Sequence, residues 1–151
     1  MLLSRNMLPL ITISALGLSS CDFVYGLSTS TLQEGEAADT CVFLTLQRTP
    51  GVKDVKTRSV KNTAVLIAGK GPIDDSMIRY YTYNLGTGYS PTITIEDYYD
   101  GKTHYRDTML SMNKKIPQEE IDRALPIMRL AEERISKKCG VIFGSDIRVY
   151  N

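Results

Sequence analysis

The chain has no tryptophan and a single histidine, His104. With one imidazole and no closely spaced cysteine pair, the usual His/Cys sets for zinc cannot be assembled, so no metal or other cofactor is expected. No sharp Gly-x-Ser-x-Gly turn presents a nucleophile that His104 and Asp107 could activate, which argues against a hydrolase and against an enzyme generally. Charge of one sign is lacking as well: 18 basic residues face 17 acidic ones, leaving no electrostatic footprint for a nucleic-acid partner. No apolar run is long enough to cross a bilayer as a mature helix. Cysteine is scarce, with three in 151 residues. A composition of 42% hydrophobic and 23% charged residues places the chain among globular proteins of one ordinary domain.

The amino-terminal segment has the pattern of an export address. Arg5 supplies a positive start, and Met7 to Leu18 is largely apolar, broken by Thr12, Ser14 and Gly17. This is the length of a signal-peptide core. It runs into Leu18-Ser19-Ser20-Cys21, an apolar residue and two small ones before a cysteine, which resembles the lipobox of bacterial lipoproteins. The resemblance covers residues 1–22 and speaks to processing rather than to fold. It implies that residues 1–20 are a signal peptide, that Cys21 carries a diacylglycerol on sulfur, and that the new amino terminus is acylated. The protein would then be lipid-anchored in the cell envelope, facing the periplasm, and bound to the membrane by its acyl chains at about 0.8 kcal/mol per buried methylene. Asp22 follows the anchor, as it does in lipoproteins that enteric bacteria retain in the inner membrane.

If Cys21 is lipidated, Cys41 and Cys139 remain, in a compartment where paired thiols persist. A Cys41–Cys139 disulfide is expected, the alternative being two buried thiols. Residues 21–40 have the composition of a lipid anchor and flexible tether: Ser28 to Thr31 are all hydroxyl residues, Gln33 to Glu36 are polar or glycine, and nothing is periodic. Such a tether would span about 25 Å and lift a domain of residues 41–151 off the headgroups.

Within that domain, Val42, Leu44 and Leu46 alternate as in a strand. Residues 52–60 make a weak edge strand or a loop, Thr63–Ala68 a good strand, and Met77–Leu85 another, rich in tyrosine. Gly69-Lys70-Gly71 has the look of a phosphate loop, but no Ser or Thr follows the lysine, and Asp74 and Asp75 come next; a plain turn explains it better. Thr92–Tyr99 and Lys102–Met112 form the clearest hairpin. A three-residue loop, Tyr99-Asp100-Gly101, pairs Ile95 with Tyr105 and adds Met109 to the isoleucine face, whereas a two-residue turn would pair Ile95 with Arg106; the apolar pattern favours the longer loop. Glu96 and Asp97 then point to opposite faces, which weakens any acid–base or cation site with Asp100.

A helix starts near Pro117 and stops at Gly140. Ile121, Ala124, Leu125, Met128, Ala131, Ile135 and Cys139 share one stripe. Pro126 predicts a kink, and Glu132, at the stripe's edge, is expected to pair with Arg129. Val141–Tyr150 would be a last strand, with Gly144 and Ser145 bulging it. The expectation is an α+β fold, an antiparallel β-sheet of five or six strands with one late, Pro-kinked α-helix packed on a face.

Seven of the nine tyrosines fall between residues 80 and 105. Tyrosine fits strands, and it is also enriched at interfaces. Tyr81, Tyr83, Tyr89 and Tyr98 are the candidates for an exposed binding face. The functional expectation is a membrane-anchored lipoprotein with a non-catalytic protein partner, as an accessory, inhibitor or immunity-like factor. The alternative is a small-ligand or glycan binder, with a hydrolase ranked behind both.

Overall fold

A computed structural model describes residues 23–34, 38–62, 76–144 and 147–150. The expected signal peptide, Cys21, the Thr63–Ala68 strand and the Gly69-Lys70-Gly71 turn lie outside these residues. Six strands and two helices follow one another as β1 (Val24–Glu34), α1 (Asp39–Gln47), β2 (Asp54–Lys61), β3 (Met77–Asn84), β4 (Thr92–Asp97), β5 (Lys102–Met112), α2 (Gln118–Cys139) and β6 (Arg148–Tyr150). The strands form one sheet in the order β2-β3-β4-β5-β1-β6, and every neighbouring pair is antiparallel. This is the expected α+β fold with its late helix.

The β4–β5 hairpin has the three-residue loop. Ile95 faces Tyr105 and Asp97 faces Thr103. The Tyr98 N–H donates to the Lys102 carbonyl at 3.0 Å, and the Gly101 N–H to the Tyr98 carbonyl at 3.1 Å. Gly101 supplies the left-handed residue at φ 77°, which a side chain would disfavour. Because the side-chain period is two, this register decides both faces of the sheet. Ile93, Ile95, Tyr105 and Met109 point to one side and are buried there with Leu27, Val55, Tyr81 and Tyr83.

Both helices cover that side. From α2 the core takes Ile121, Ala124, Met128, Ala131 and Ile135, five of the expected stripe, with Leu125 and Cys139 packed partly against them. Each fully buried large aliphatic is worth about 1.5–3 kcal/mol. The helix runs through Pro126, which lies on the exposed side with Asp122, so water can reach the carbonyl that loses its bond. Cys139 in its last turn is bridged to Cys41 in α1, with S–S 2.07 Å and Cα–Cα 5.8 Å.

Three expectations are corrected. Residues 42–47 form α1 rather than a strand. Val42, Thr45 and Leu46 are its buried residues, and Thr49 just beyond is buried too, a helical spacing. Phe43 and Leu44, also apolar, hid that spacing behind an apparent alternation. Residues 24–34 are no tether but β1, inside the sheet between β5 and β6. Polar composition misled here: threonine favours strands, and the buried Thr29 hydroxyl donates to Glu132 Oε1 of α2 at 2.6 Å. The folded unit therefore includes Phe23 and β1, ahead of the expected boundary at residue 41. The last strand is also shorter than expected, since β6 is Arg148–Tyr150.

Candidate functional site

Among the described residues, no element covers the other side of the sheet. The register lines up Tyr80, Thr94, Arg106 and Ser30 across four strands. Beside that row run Glu96, His104 and Leu32, and on its other flank Thr92, Thr108, Ser28 and Arg148. These residues, Thr92 apart, wall a groove of about 570 Å³. Its lining mixes hydroxyls (Ser28, Ser30, Thr94, Thr108), two arginines (Arg106, Arg148) and the apolar or aromatic Leu32, Leu110, Tyr80 and Tyr150. Its volume is within the range of small-molecule sites.

At the hairpin end, the Tyr98 ring stacks on His104, with centroids 3.5 Å apart and planes 14° from parallel. Burial against this ring lowers the His104 pKa; Asp100 and Glu96 oppose the shift, and Arg106 and Lys102 reinforce it. The shift favours the neutral imidazole. Its Nε2 has no hydrogen-bond partner among the described residues, so no hydroxyl is poised against it as in a nucleophile–base pair. Burial, then Glu96, raises the Tyr98 pKa. Glu96 lines the groove, while Asp97 on the opposite face accepts from the Thr103 hydroxyl at 3.0 Å. Asp100 accepts from the Lys102 N–H at 3.0 Å, which is turn chemistry. The three carboxylates do not converge, and among the described residues no group of His, Cys, Asp and Glu could hold a metal ion.

A second polar cluster is sealed between sheet and α2. The Tyr83 hydroxyl donates to Asp107 Oδ2 at 2.6 Å, and Asp107 Oδ1 is buried without a hydrogen-bond partner. Burial pushes the Asp107 pKa up to about 8; Glu132 adds to the rise, and the Tyr83 hydroxyl and the nearby Thr108 backbone N–H oppose it. Tyr83 is raised well above its ordinary value by burial and by Asp107. Glu132 is raised by burial too, with the Thr29 hydroxyl and Arg129 pulling it back. The expected Arg129–Glu132 pair forms at 3.1 Å, and Arg129 also donates to the Gly144 carbonyl at 3.2 Å. Having no opening, this cluster is an interior support rather than a site.

The expected tyrosine face is corrected accordingly. Tyr81 and Tyr83 are core residues, 4% and 0% exposed, because Tyr81 lies opposite Ile93 in the register and Tyr83 shares its parity. Tyr89 is half-buried against the core. Of the four, only Tyr98 borders the open face, through His104. The aromatics that do line the groove are Tyr80 and Tyr150. Parity was the usable signal: carrying the hairpin register one strand further, from Ile93 to Tyr81, turns Tyr80 outward.

No helix among the described residues is long and apolar enough to cross a membrane. No protein-family model, no curated protein and no solved structure matches the chain.

Proposed function

We propose that this protein is an envelope lipoprotein, anchored through Cys21, whose open sheet face binds a segment of another envelope protein without catalysis. The carrying observation is the groove across β3, β4, β5, β1 and β6, left open among the described residues, where Arg106 and Arg148 stand among hydroxyls beside Leu32, Leu110, Tyr80 and Tyr150. An antiparallel sheet covered on one side presents its other side as a flat or concave surface. Arginine and tyrosine are the side chains most often found at binding hot spots. The two arginines favour a partner with acidic as well as apolar side chains. The anchor reading rests on the Leu18-Ser19-Ser20-Cys21 motif, and the Cys41–Cys139 bridge agrees with an oxidising compartment. Asp22 favours the inner membrane.

Two measurements test this. Intact mass of protein extracted from its host membrane should show loss of residues 1–20, added acyl chains, and two thiols that appear only on reduction. A photo-crosslinking residue at Thr94 should give one discrete adduct in cells, lost in Arg106→Glu, while the same probe at Lys137 on the exposed side of α2 gives none. Identical adducts from both positions, or an adduct indifferent to Arg106, sink the face as a binding site. The second reading, a small-molecule or glycan site, is favoured by the groove volume. It predicts that a soluble ligand protects Thr94 from crosslinking with no protein adduct formed.

A further inference from the structure

We propose that the domain rests directly on the lipid bilayer through the end of the sheet where β1 begins, with the open groove standing upright from the membrane. The proposal builds on the anchor reading of Cys21 and concerns what the folded domain does once anchored.

The argument begins with chain length. Phe23 is already held in the fold: its N–H donates to Asn113 Oδ1 at 2.9 Å, and its carbonyl accepts from the Asn113 N–H at 2.8 Å. Only Asp22 separates it from Cys21. Two peptide steps span at most about 8 Å, comparable with the headgroup layer on one side of a bilayer, which is about 5–7 Å thick. A lipid on Cys21 therefore brings Phe23 to the headgroups however Asp22 is oriented. With β1 in the sheet, no spacer remains to lift the domain away.

What the sheet presents at that end suits the place. Phe23 is 63% exposed, Met112 57%, Leu110 45% and Val24 41%. The register joins them: Val24 faces Met112, and Gly26 lies between Leu110 and Tyr150. Exposed apolar side chains grouped in this way mark an interaction surface, and tyrosine is at home at the membrane–water boundary. Lys114 and Lys115 follow directly and are exposed, as basic side chains that acidic headgroups would attract. At the other end of β5, ten residues or about 34 Å away, the Tyr99-Asp100-Gly101 loop would point away from the membrane. Val24, Leu110 and Tyr150 also line the groove, so they form its membrane-proximal end, and a partner would occupy the groove beyond them, close to the bilayer.

The absence of tryptophan makes the test clean. Full-length acylated protein carrying Met112→Trp or Tyr99→Trp is reconstituted into phosphatidylcholine vesicles with and without phosphatidylglycerol, using lipids brominated near the headgroup. Apolar groups at an interface sit about 5–10 Å into it, so the Met112→Trp emission should shift to the blue and be quenched about twofold or more, with Tyr99→Trp unaffected. Lys114→Glu with Lys115→Glu should reduce that quenching only when phosphatidylglycerol is present. Acyl mass together with no quenching in Met112→Trp overturns the proposal and leaves the anchor intact. An unacylated mass overturns the anchor, and surface docking then survives only if Met112→Trp still floats with vesicles and is quenched. Equal quenching of both tryptophans overturns the upright orientation.

Discussion

Asp107→Asn tests the buried cluster most directly. Asp107 is fully buried, with one carboxyl oxygen held by the Tyr83 hydroxyl and the other without a hydrogen-bond partner. A neutral carboxyl suits that setting, and its pKa is pushed up to about 8 from 3.8. The folded chain holds this proton more tightly than the unfolded chain does. Stability from this group is therefore full below about pH 4 and is lost as pH rises towards about 8. Four units at about 1.36 kcal/mol each set a ceiling near 5 kcal/mol. Relaxation and water entry reduce such penalties, and a fall of about 2–4 kcal/mol between pH 5 and 9 is expected. The asparagine keeps an acceptor for Tyr83 but places an unsatisfied amide where Oδ1 was, costing about 1–3 kcal/mol at every pH. The two stability curves should cross: the parent is firmer at pH 5 and the variant at pH 9. Urea unfolding followed by circular dichroism would read this as a parent midpoint falling by about 2 M across the range while the variant stays level. A parent curve that is flat from pH 5 to 9 refutes the reasoning. So does a slope that persists in Asp107→Asn and disappears in Glu132→Gln, which would assign the proton to Glu132.

The Cys41–Cys139 bridge closes a loop with a sequence separation of 98. Its removal as a double alanine variant should lower stability by about 4–5 kcal/mol, or about 15 °C in Tm by calorimetry; a loss under about 5 °C would contradict the chain-entropy argument. Gly26 has φ 133°, and a Cβ there would run into the Met109 carbonyl, so Gly26→Ala should cost at least about 3 kcal/mol. Gly101 has φ 77° with open space around it, so Gly101→Ala should cost only about 1–2 kcal/mol. Equal losses in the two glycine variants would show that the close approach at Gly26 is relieved. Reconstituted Lys114→Glu/Lys115→Glu protein should also show weaker dependence on salt in its contact with anionic vesicles, measured by the same quenching.

What was legible in the chain follows from how sharply each segment excludes its alternatives. The hairpin register could be read because moving Ile95 by one position trades Tyr105 for Arg106 beneath the helix, an expensive error. The late helix could be read because its stripe, early acids, late lysines and Gly140 agree. α1 was hidden because Val42, Phe43, Leu44 and Leu46 satisfy two periods at once, and the buried Thr45 meets Cys139, which lies 94 residues away. β1 was hidden because Ser28 and Thr29 are buried polar residues, and the partner of Thr29, Glu132, lies 103 residues on. The groove leaves little trace for a related reason: a face of Ser, Thr, Arg and Glu reads as an ordinary solvated surface, and only the register shows that these residues share one wall.

The position of β1 has a consequence for the order in which the molecule can assemble. This strand comes first among the described elements, yet it pairs with β5 and with β6, where Leu27 meets Val149. Its ladders and its Thr29–Glu132 bond must wait for residues made roughly seventy to more than a hundred positions later. Contacts of such separation pay the loop-closure entropy before they return anything, so folding should be slow, in the millisecond-to-second range of non-local β topologies. A half-made chain has no partner for its first strand and cannot lock into the native sheet. If the chain is exported unfolded, as the proposed anchor at Cys21 requires, that delay would keep it threadable until almost all of it has emerged.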